Sequence, residues 1–107
     1  MKSYFMYILT NSTKSVLYTG MTNNLERRLT EHYHQRGQPK TFTGRYFCYY
    51  LLYYEVFPLP LQAIGREKEI KKWSRKKKNE LIATMNPQWR FLNNDVMQWP
   101  PHPDTGF

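Results

Sequence analysis

Residues 17–32, LYTGMTNNLERRLTEH, contain the change from strand to helix that decides the fold. The start of this stretch is rich in apolar and β-favouring residues and predicts a strand. Thr22 or Asn23 can cap the helix that follows, in which Leu25 and Leu29 begin an apolar stripe at helical spacing. The stretch therefore predicts a strand, a turn and an amphipathic helix.

The other expected elements follow from hydrophobic patterning and from the positions of proline and glycine. SYFMYIL predicts a strand that forms a hairpin with VLYTGM, and RYFCYYLLYYEVF is continuous enough to predict the central or best buried strand. Pro60 is placed to begin a helix. In chain order, the predicted elements are strands at 3–9 and 16–21, a helix that ends at 35–37, a strand at 45–57 and helices at 61–72 and 75–85. The side chains expected to face inward from the last two helices are Ala63, Ile64, Ile70, Trp73, Leu81, Ile82 and Met85.

Length and charge limit the class of protein. With 107 residues the chain is predicted to form one domain, at 1–93, followed by a proline-rich tail at 94–107 that is mobile or held only by Trp99. Lys and Arg number 16 against 8 Asp and Glu, and the resulting net charge of +8 favours a polyanionic partner. The chain has no apolar run long enough to span a membrane and no signal-peptide pattern, which predicts a cytoplasmic protein without a membrane partner. The single Cys48 is predicted to be buried and structural.

Residues 66–78, REKEIKKWSRKKK, hold eight of the cations in 13 residues. Such a cluster neutralises phosphates and gives salt-sensitive affinity for nucleic acid, although many helices carry lysine simply on a solvated face. The cations predicted to contact nucleic acid are Arg27, Lys40, Arg45, Lys71, Lys72, Arg75 and Lys76.

Two features stand out as candidates for chemistry. Arg28 and His32 lie four residues apart and share a helical face, where they are either solvated ion-pair formers or part of a site. Glu67 aligns with inward-facing positions, where a carboxylate is costly unless a cation or metal meets it; a salt bridge to Lys71 is the structural alternative. No cysteine pair or histidine spacing suits zinc, so any metal is expected to be a hard ion held by a carboxylate, water and phosphate oxygens.

Together these segments resemble the GIY-YIG nuclease superfamily, and within it the small stand-alone bacterial proteins related to the nuclease module of the excision-repair C subunit. The resemblance covers about residues 4–92. The segments that carry it are FMY on the first strand, YTG on the second, LERRLTEH on the first helix, REKEIK on the next, and TMNPQW. One departure is that Phe5-Met6 replaces the Gly-Ile of the first motif, which leaves the facing of the tyrosine unchanged.

The resemblance implies an α+β fold, a three-stranded antiparallel sheet flanked by helices in the order β-β-α-β-α-α. It also implies a phosphodiester hydrolase that uses one divalent ion, Mg²⁺ or Mn²⁺, with DNA as substrate. The motif residues carried over to this chain are Tyr7, Tyr18, Gly20, Arg28, His32 and Glu67. Arg28 would stabilise the phosphate and Glu67 would hold the metal, while Tyr7, Tyr18 and His32 would orient and deprotonate the attacking water.

The sequence leaves two other classes open. One is a nucleic-acid-binding module that keeps the fold but cleaves weakly or only with a protein partner. The other is a protein-interaction domain whose basic helix binds an acidic partner. The presence of the whole set of motif residues favours the nuclease.

Overall fold

The computed structural model describes residues 2–101. Its elements, in chain order, are β1 (Tyr4–Thr10), β2 (Leu17–Thr22), α1 (Leu25–His34), α2 (Phe42–Arg45), β3 (Tyr50–Phe57), α3 (Pro60–Lys71), α4 (Arg75–Met85) and α5 (Asn93–Val96). The predicted α+β fold is confirmed, with two helices of four residues added to it. No helix within the described range is long and apolar enough to cross a membrane.

The three strands form an antiparallel sheet in the order β2-β1-β3. The prediction that the aromatic run at 45–57 supplies the central strand was wrong, because β1 is central and β3 lies at an edge. The run also does not begin as a strand: Thr41 accepts a hydrogen bond from the backbone N–H of Gly44 and starts α2 there. Local capping therefore overrides the β propensity of the aromatic residues that follow.

Each face of the sheet carries its own apolar cluster, as the alternation of side chains along a strand requires. Tyr7 and Leu9 point to the face covered by α1, where they meet Leu29. Met6 and Ile8 point to the opposite face, where β3, α3 and α4 contribute further apolar side chains. The residues buried on that second face include Met6, Ile8, Leu52, Tyr53, Ile70 and Ile82. Tyr7 therefore lies on the same face of the sheet as the arginine and histidine of α1.

Helix ends follow the predicted chemistry with small corrections. The N-cap of α1 is Asn24 rather than Thr22 or Asn23, and its side chain accepts a hydrogen bond from the N–H of Arg27. Pro60 occupies the first turn of α3, as expected. Met85 does not face inward as predicted, because 46% of it is exposed at the end of α4.

The segment after α4 forms a hydrogen bond to a bulge in β3. Ile8 pairs with Tyr53 and Leu9 with Leu51, so Leu52 is an extra residue without a partner in β1. The buried Asn86 donates to the carbonyl of Leu52 at 3.0 Å. The loop after α4 thus satisfies a backbone group that the sheet leaves free.

The start of the predicted tail is packed rather than mobile. Asn93 is buried and bonds the backbone of β3, accepting from Leu51 N–H and donating to Tyr49 C=O. Val96, Met97 and Trp99 pack against the α1-side cluster, so Trp99 is not the only contact. The rest of the tail prediction concerns residues 102–107, outside the described residues, and the domain boundary after residue 93 stays a prediction. Cys48 is fully buried, as expected.

Candidate active site

The centre of the candidate site is a hydrogen-bonded chain of three buried side chains. Tyr7, in the middle of β1, places its hydroxyl oxygen 3.0 Å from Nε2 of His32, in the last turn of α1. The other ring nitrogen, Nδ1, lies 3.1 Å from Oγ1 of Thr43 in α2. All three residues are almost fully buried. His32 is therefore not a solvated surface residue, which was one of the two interpretations that the sequence left open.

Gly20 makes room for the hydroxyl end of Tyr7. The two residues are direct partners across β1 and β2. A Cβ atom at residue 20 would lie 2.5 Å from both Cζ and Oη of Tyr7, far inside van der Waals contact. Any side chain at this position would therefore displace the tyrosine ring from His32.

Tyr18 completes an aromatic triangle with this pair. Its ring centroid lies 6.4 Å from that of Tyr7 and 5.7 Å from that of His32. On its other side Tyr18 stacks on Phe42 of α2, at 6.0 Å with an interplanar angle of 27°. Tyr18 thus joins the buried hydrogen-bonded chain to the exposed surface of α2.

Burial keeps the central pair neutral. It raises the pKa of Tyr7 above its ordinary value, and the nearby positive charge of Arg28 opposes this without overcoming it. Burial also lowers the pKa of His32, to about 3, and the charge of Arg28 adds to this effect. At neutral pH a phenol therefore faces an uncharged imidazole, which has one nitrogen free to accept a proton.

Arg28 supplies the fixed positive charge of the site. It lies one turn before His32, close enough to Tyr7 to affect the pKa of its hydroxyl. Its Nη1 atom donates to Oε1 of Glu31 at 3.0 Å, and about a third of its side chain is exposed. The guanidinium therefore keeps donors available for an anion that approaches from solvent.

Glu67 approaches the site from α3. Only 19% of its side chain is exposed, and its carboxylate lies 3.5 Å from Nζ of Lys71, so the predicted structural salt bridge does form. Its negative charge nevertheless reaches Tyr7, whose pKa it helps to raise. Within residues 2–101 no three His, Cys, Asp or Glu side chains cluster closely enough to hold a metal by themselves. One carboxylate completed by water and phosphate oxygens is a usual environment for Mg²⁺, and Glu67 fits it.

The predicted DNA-contacting cations fall into two groups. Several are already engaged within the protein. Arg75 donates to the carbonyls of Ser15 and Lys14 at 3.0 Å each, which fastens the β1–β2 loop to α4. Arg45 donates to the carbonyl of Pro39.

Arg27 is also partly engaged, since it donates to the side chain of Asn23 at 3.0 Å. Of the predicted DNA-contacting cations, those that are exposed and form neither an ion pair nor a side-chain hydrogen bond within the described residues are Lys40, Lys72 and Lys76. These three lysines are therefore better placed to meet phosphates than Arg75, which bonds the β1–β2 loop. They are also better placed than Lys71, which pairs with Glu67.

Thr43 is a site residue that the sequence did not predict. It lies at 36–44, where Gly37, Pro39 and Gly44 predict a loop, and nothing in local periodicity connects it to α1. A signal was present in TFTG, where Thr41 and Gly44 indicate a capped turn after α1. The Thr43 hydroxyl fixes the orientation of the His32 ring and so decides which nitrogen faces Tyr7.

Comparison with known proteins shows the family to which the chain is similar. The family model of the GIY-YIG catalytic domain matches residues 3–80. A UPF0213 protein of Haloquadratum walsbyi is 37% identical over 78 residues, which span 73% of this chain and 84% of that protein. A UPF0213 protein of Staphylococcus aureus is 38% identical over 82 residues, which span 77% of this chain and 96% of that protein. The solution NMR structure of a UPF0213 protein from Bacillus halodurans is 29% identical, covers 90% of this chain and 97% of that one, and has a TM-score of 0.52.

Proposed function

The chain belongs to the GIY-YIG family, and from this premise we propose that it is a divalent-metal-dependent endonuclease that hydrolyses DNA phosphodiester bonds. The observation that carries the proposal is the buried chain from Tyr7 through His32 to Thr43. A hydroxyl beside a neutral imidazole, with an arginine next to both, is suited to moving a proton near a phosphate.

The geometry supports the following proton movements in the proposed mechanism. Tyr7 Oη accepts a proton from the attacking water while its own proton passes to Nε2 of His32, 3.0 Å away. The imidazolium that forms donates through Nδ1 to Thr43 Oγ1. The negative charge of a bound phosphate offsets the repulsion between this imidazolium and Arg28, and Tyr18 orients the water beside Tyr7.

In this proposal both Arg28 and Glu67 act on the phosphate. The Arg28 guanidinium is always charged and stabilises the additional negative charge of the transition state. Glu67 would hold a single Mg²⁺ or Mn²⁺ ion, which would supply stabilisation of the leaving oxygen. Among the ion pairs of the described residues, the partner of the Glu67 carboxylate is Lys71.

DNA is the substrate that the charge favours. The net charge of +8 and the exposed Lys40, Lys72 and Lys76 supply contacts to the backbone rather than to base edges. A domain of this size has little surface for reading a long sequence, so we infer recognition of DNA structure, as in repair or recombination. The cytoplasmic location and a role for a protein partner stay predictions.

A second candidate function is a catalytically weak or inactive nucleic-acid-binding module that acts with a partner protein. The observation in its favour is the raised pKa of Tyr7, which makes this phenol a poor base until charge is added nearby. Cleavage separates the two candidates directly.

The test is cleavage of single-stranded, duplex, flapped and junction DNA with Mg²⁺ or Mn²⁺ by wild type, Arg28→Ala and Glu67→Ala. We expect both variants to lose activity by about a hundredfold or more, since each removes a charge that acts on the transition state. Glu69→Ala is the matched control, because Glu69 is on the same helix, is exposed and pairs with Arg66 away from Tyr7. If Glu67→Ala cleaves as fast as wild type, the catalytic proposal fails. DNA binding by wild type without cleavage would establish the binding module instead.

A further inference from the structure

Three aromatic rings are exposed together on and beside α2. Phe42, Tyr46 and Phe47 are 46%, 43% and 48% exposed. Rings of this size are normally buried. A set of exposed rings that lie close together therefore indicates a binding surface. We call Phe42 and Tyr46 the aromatic platform, because their ring centroids lie only 4.8 Å apart.

The aromatic platform is continuous with the candidate active site. Tyr18 stacks on Phe42 from the inner side. The next residue in α2, Thr43, holds the ring of His32. A ligand on the exposed side of Phe42 would therefore be separated from Tyr7, the group that deprotonates water in the proposed mechanism, by the rings of Phe42 and Tyr18.

The backbone beneath the aromatic platform is firmly held. Gly37 N–H donates to the carbonyl of Gly44 at 2.8 Å, and Cys48 N–H donates to the carbonyl of Thr43 at 2.9 Å. A Cβ on Gly44 would lie 2.5 Å from the carbonyl oxygen of Gln38, so two stretches of backbone meet here without space between them. The exposed rings are thus presented on a fixed surface rather than on a loose loop.

The segment of sequence that carries the aromatic platform is basic. The chain contains no Asp or Glu between Glu31 and Glu55, while Arg36, Lys40 and Arg45 lie in that interval. Lys40 is exposed close in sequence to Phe42. Exposed rings among cations, with no acid between, match a single nucleic-acid strand, whose bases stack on aromatic faces while its phosphates meet the cations.

We propose that the aromatic platform binds an unpaired base of the DNA strand next to the scissile phosphate. The inference rests on the proposed function and specifies its substrate as DNA with unstacked, unpaired nucleotides at the cleavage point. A base inside a duplex is stacked on both faces and cannot reach these rings without first unpairing, so blunt duplex DNA is bound less well.

The test uses binding without metal, so that it does not depend on cleavage. Single-stranded oligonucleotides with 2-aminopurine at each position in turn are titrated with protein in EDTA, and quenching reports stacking of that base on an aromatic ring. Affinity is followed by fluorescence anisotropy, with a blunt duplex of the same sequence for comparison. Wild type should quench 2-aminopurine and bind the single strand more tightly than the duplex.

The variants are Phe42→Leu, Tyr46→Leu and Phe42→Trp. Each leucine variant should weaken single-strand binding about fivefold or more and reduce the quenching, because one base-stacking ring is lost, while tryptophan should restore both. Leu61→Ala is the matched control, since Leu61 is 78% exposed on α3 and carries no charge. Circular dichroism of each variant checks that the fold is retained.

The outcomes separate this inference from the proposed function. If quenching depends on Phe42 or Tyr46 and the wild-type protein does not cleave DNA, the aromatic platform is supported and the nuclease proposal is rejected. Cleavage that needs Glu67 but proceeds with unchanged affinity and quenching in both leucine variants overturns the platform. Equal binding of the blunt duplex and the single strand also overturns it.

Discussion

The neutral state of His32 predicts an acid sensitivity that can be calculated from the structure. Burial lowers the pKa of His32 from the ordinary 6.5 to about 3. The unfolded chain therefore takes up a proton below pH 6.5, whereas the folded chain does not until the pH approaches 3. The stability that His32 contributes is fully present above pH 6.5 and is lost as the pH falls from 6.5 toward 3.

The magnitude follows from how far the pH lies below 6.5, the ordinary pKa of the histidine. At pH 5 this difference is roughly 1.5 units, and at about 1.4 kcal/mol per unit the free energy of unfolding should fall by about 2 kcal/mol. A loss of this size lowers the urea midpoint by roughly 1 M. His32→Gln keeps a polar group beside Tyr7 but has no proton to gain, so this part of the acid sensitivity should vanish.

The assay is urea unfolding followed by circular dichroism at pH 7 and pH 5, for wild type and for His32→Gln. Between pH 7 and pH 5 the free energy of unfolding of wild type should fall by about 2 kcal/mol more than that of His32→Gln. Comparing the two proteins cancels the titration of all other groups. If both lose the same free energy between pH 7 and pH 5, His32 is not the neutral, buried proton acceptor required by the proposed mechanism.

Two further predictions concern single residues. Gly20→Ala should lower the free energy of unfolding by about 1–3 kcal/mol and reduce the rate of cleavage at least tenfold, because its Cβ would displace the Tyr7 ring from His32. Gly65→Ala is the control, since nothing lies within 4 Å of its Cβ. It should be neutral or slightly stabilising in the same denaturation and cleavage assays. Equal behaviour of the two alanine variants would refute the role of Gly20. Arg75→Ala should lower the free energy of unfolding by about 1 kcal/mol through its lost bonds to the β1–β2 loop, whereas Lys76→Ala should leave stability unchanged and reduce the salt dependence of DNA binding by about one phosphate contact. The reverse pattern in denaturation and salt titrations would show that Arg75 is a DNA contact after all.

The sequence predicted those elements whose signals are local. Pro60 begins α3, Ser74 separates α3 from α4, and Leu25 and Leu29 form the buried stripe of α1, because capping and periodicity act within a few residues. The strand predicted at 45–57 failed at its start for the same reason. There the capped turn at Thr41 outweighed the aromatic composition.

Contacts between distant residues could not be predicted from patterning. His32 looked like a solvated residue because its partner Tyr7 lies 25 positions away and its partner Thr43 lies in another element. Arg75 looked like a phosphate contact because its carbonyl partners lie about sixty positions earlier in the chain. Only the family resemblance linked Tyr7 with Glu67 from the sequence, since their proximity depends on how the helices pack on the sheet.

The bulge in β3 has a consequence for where this protein can be truncated. The family match ends at residue 80, yet the groups that occupy the free edge of β3 come from Asn86 and Asn93, farther along the chain. A fragment cut at the match boundary would leave Leu51 N–H and Leu52 C=O without these partners and open that edge to pairing with other chains. The folding unit is therefore longer than the region that matches the family model. We expect expression of residues 1–80 alone to yield an aggregating fragment rather than a smaller folded domain.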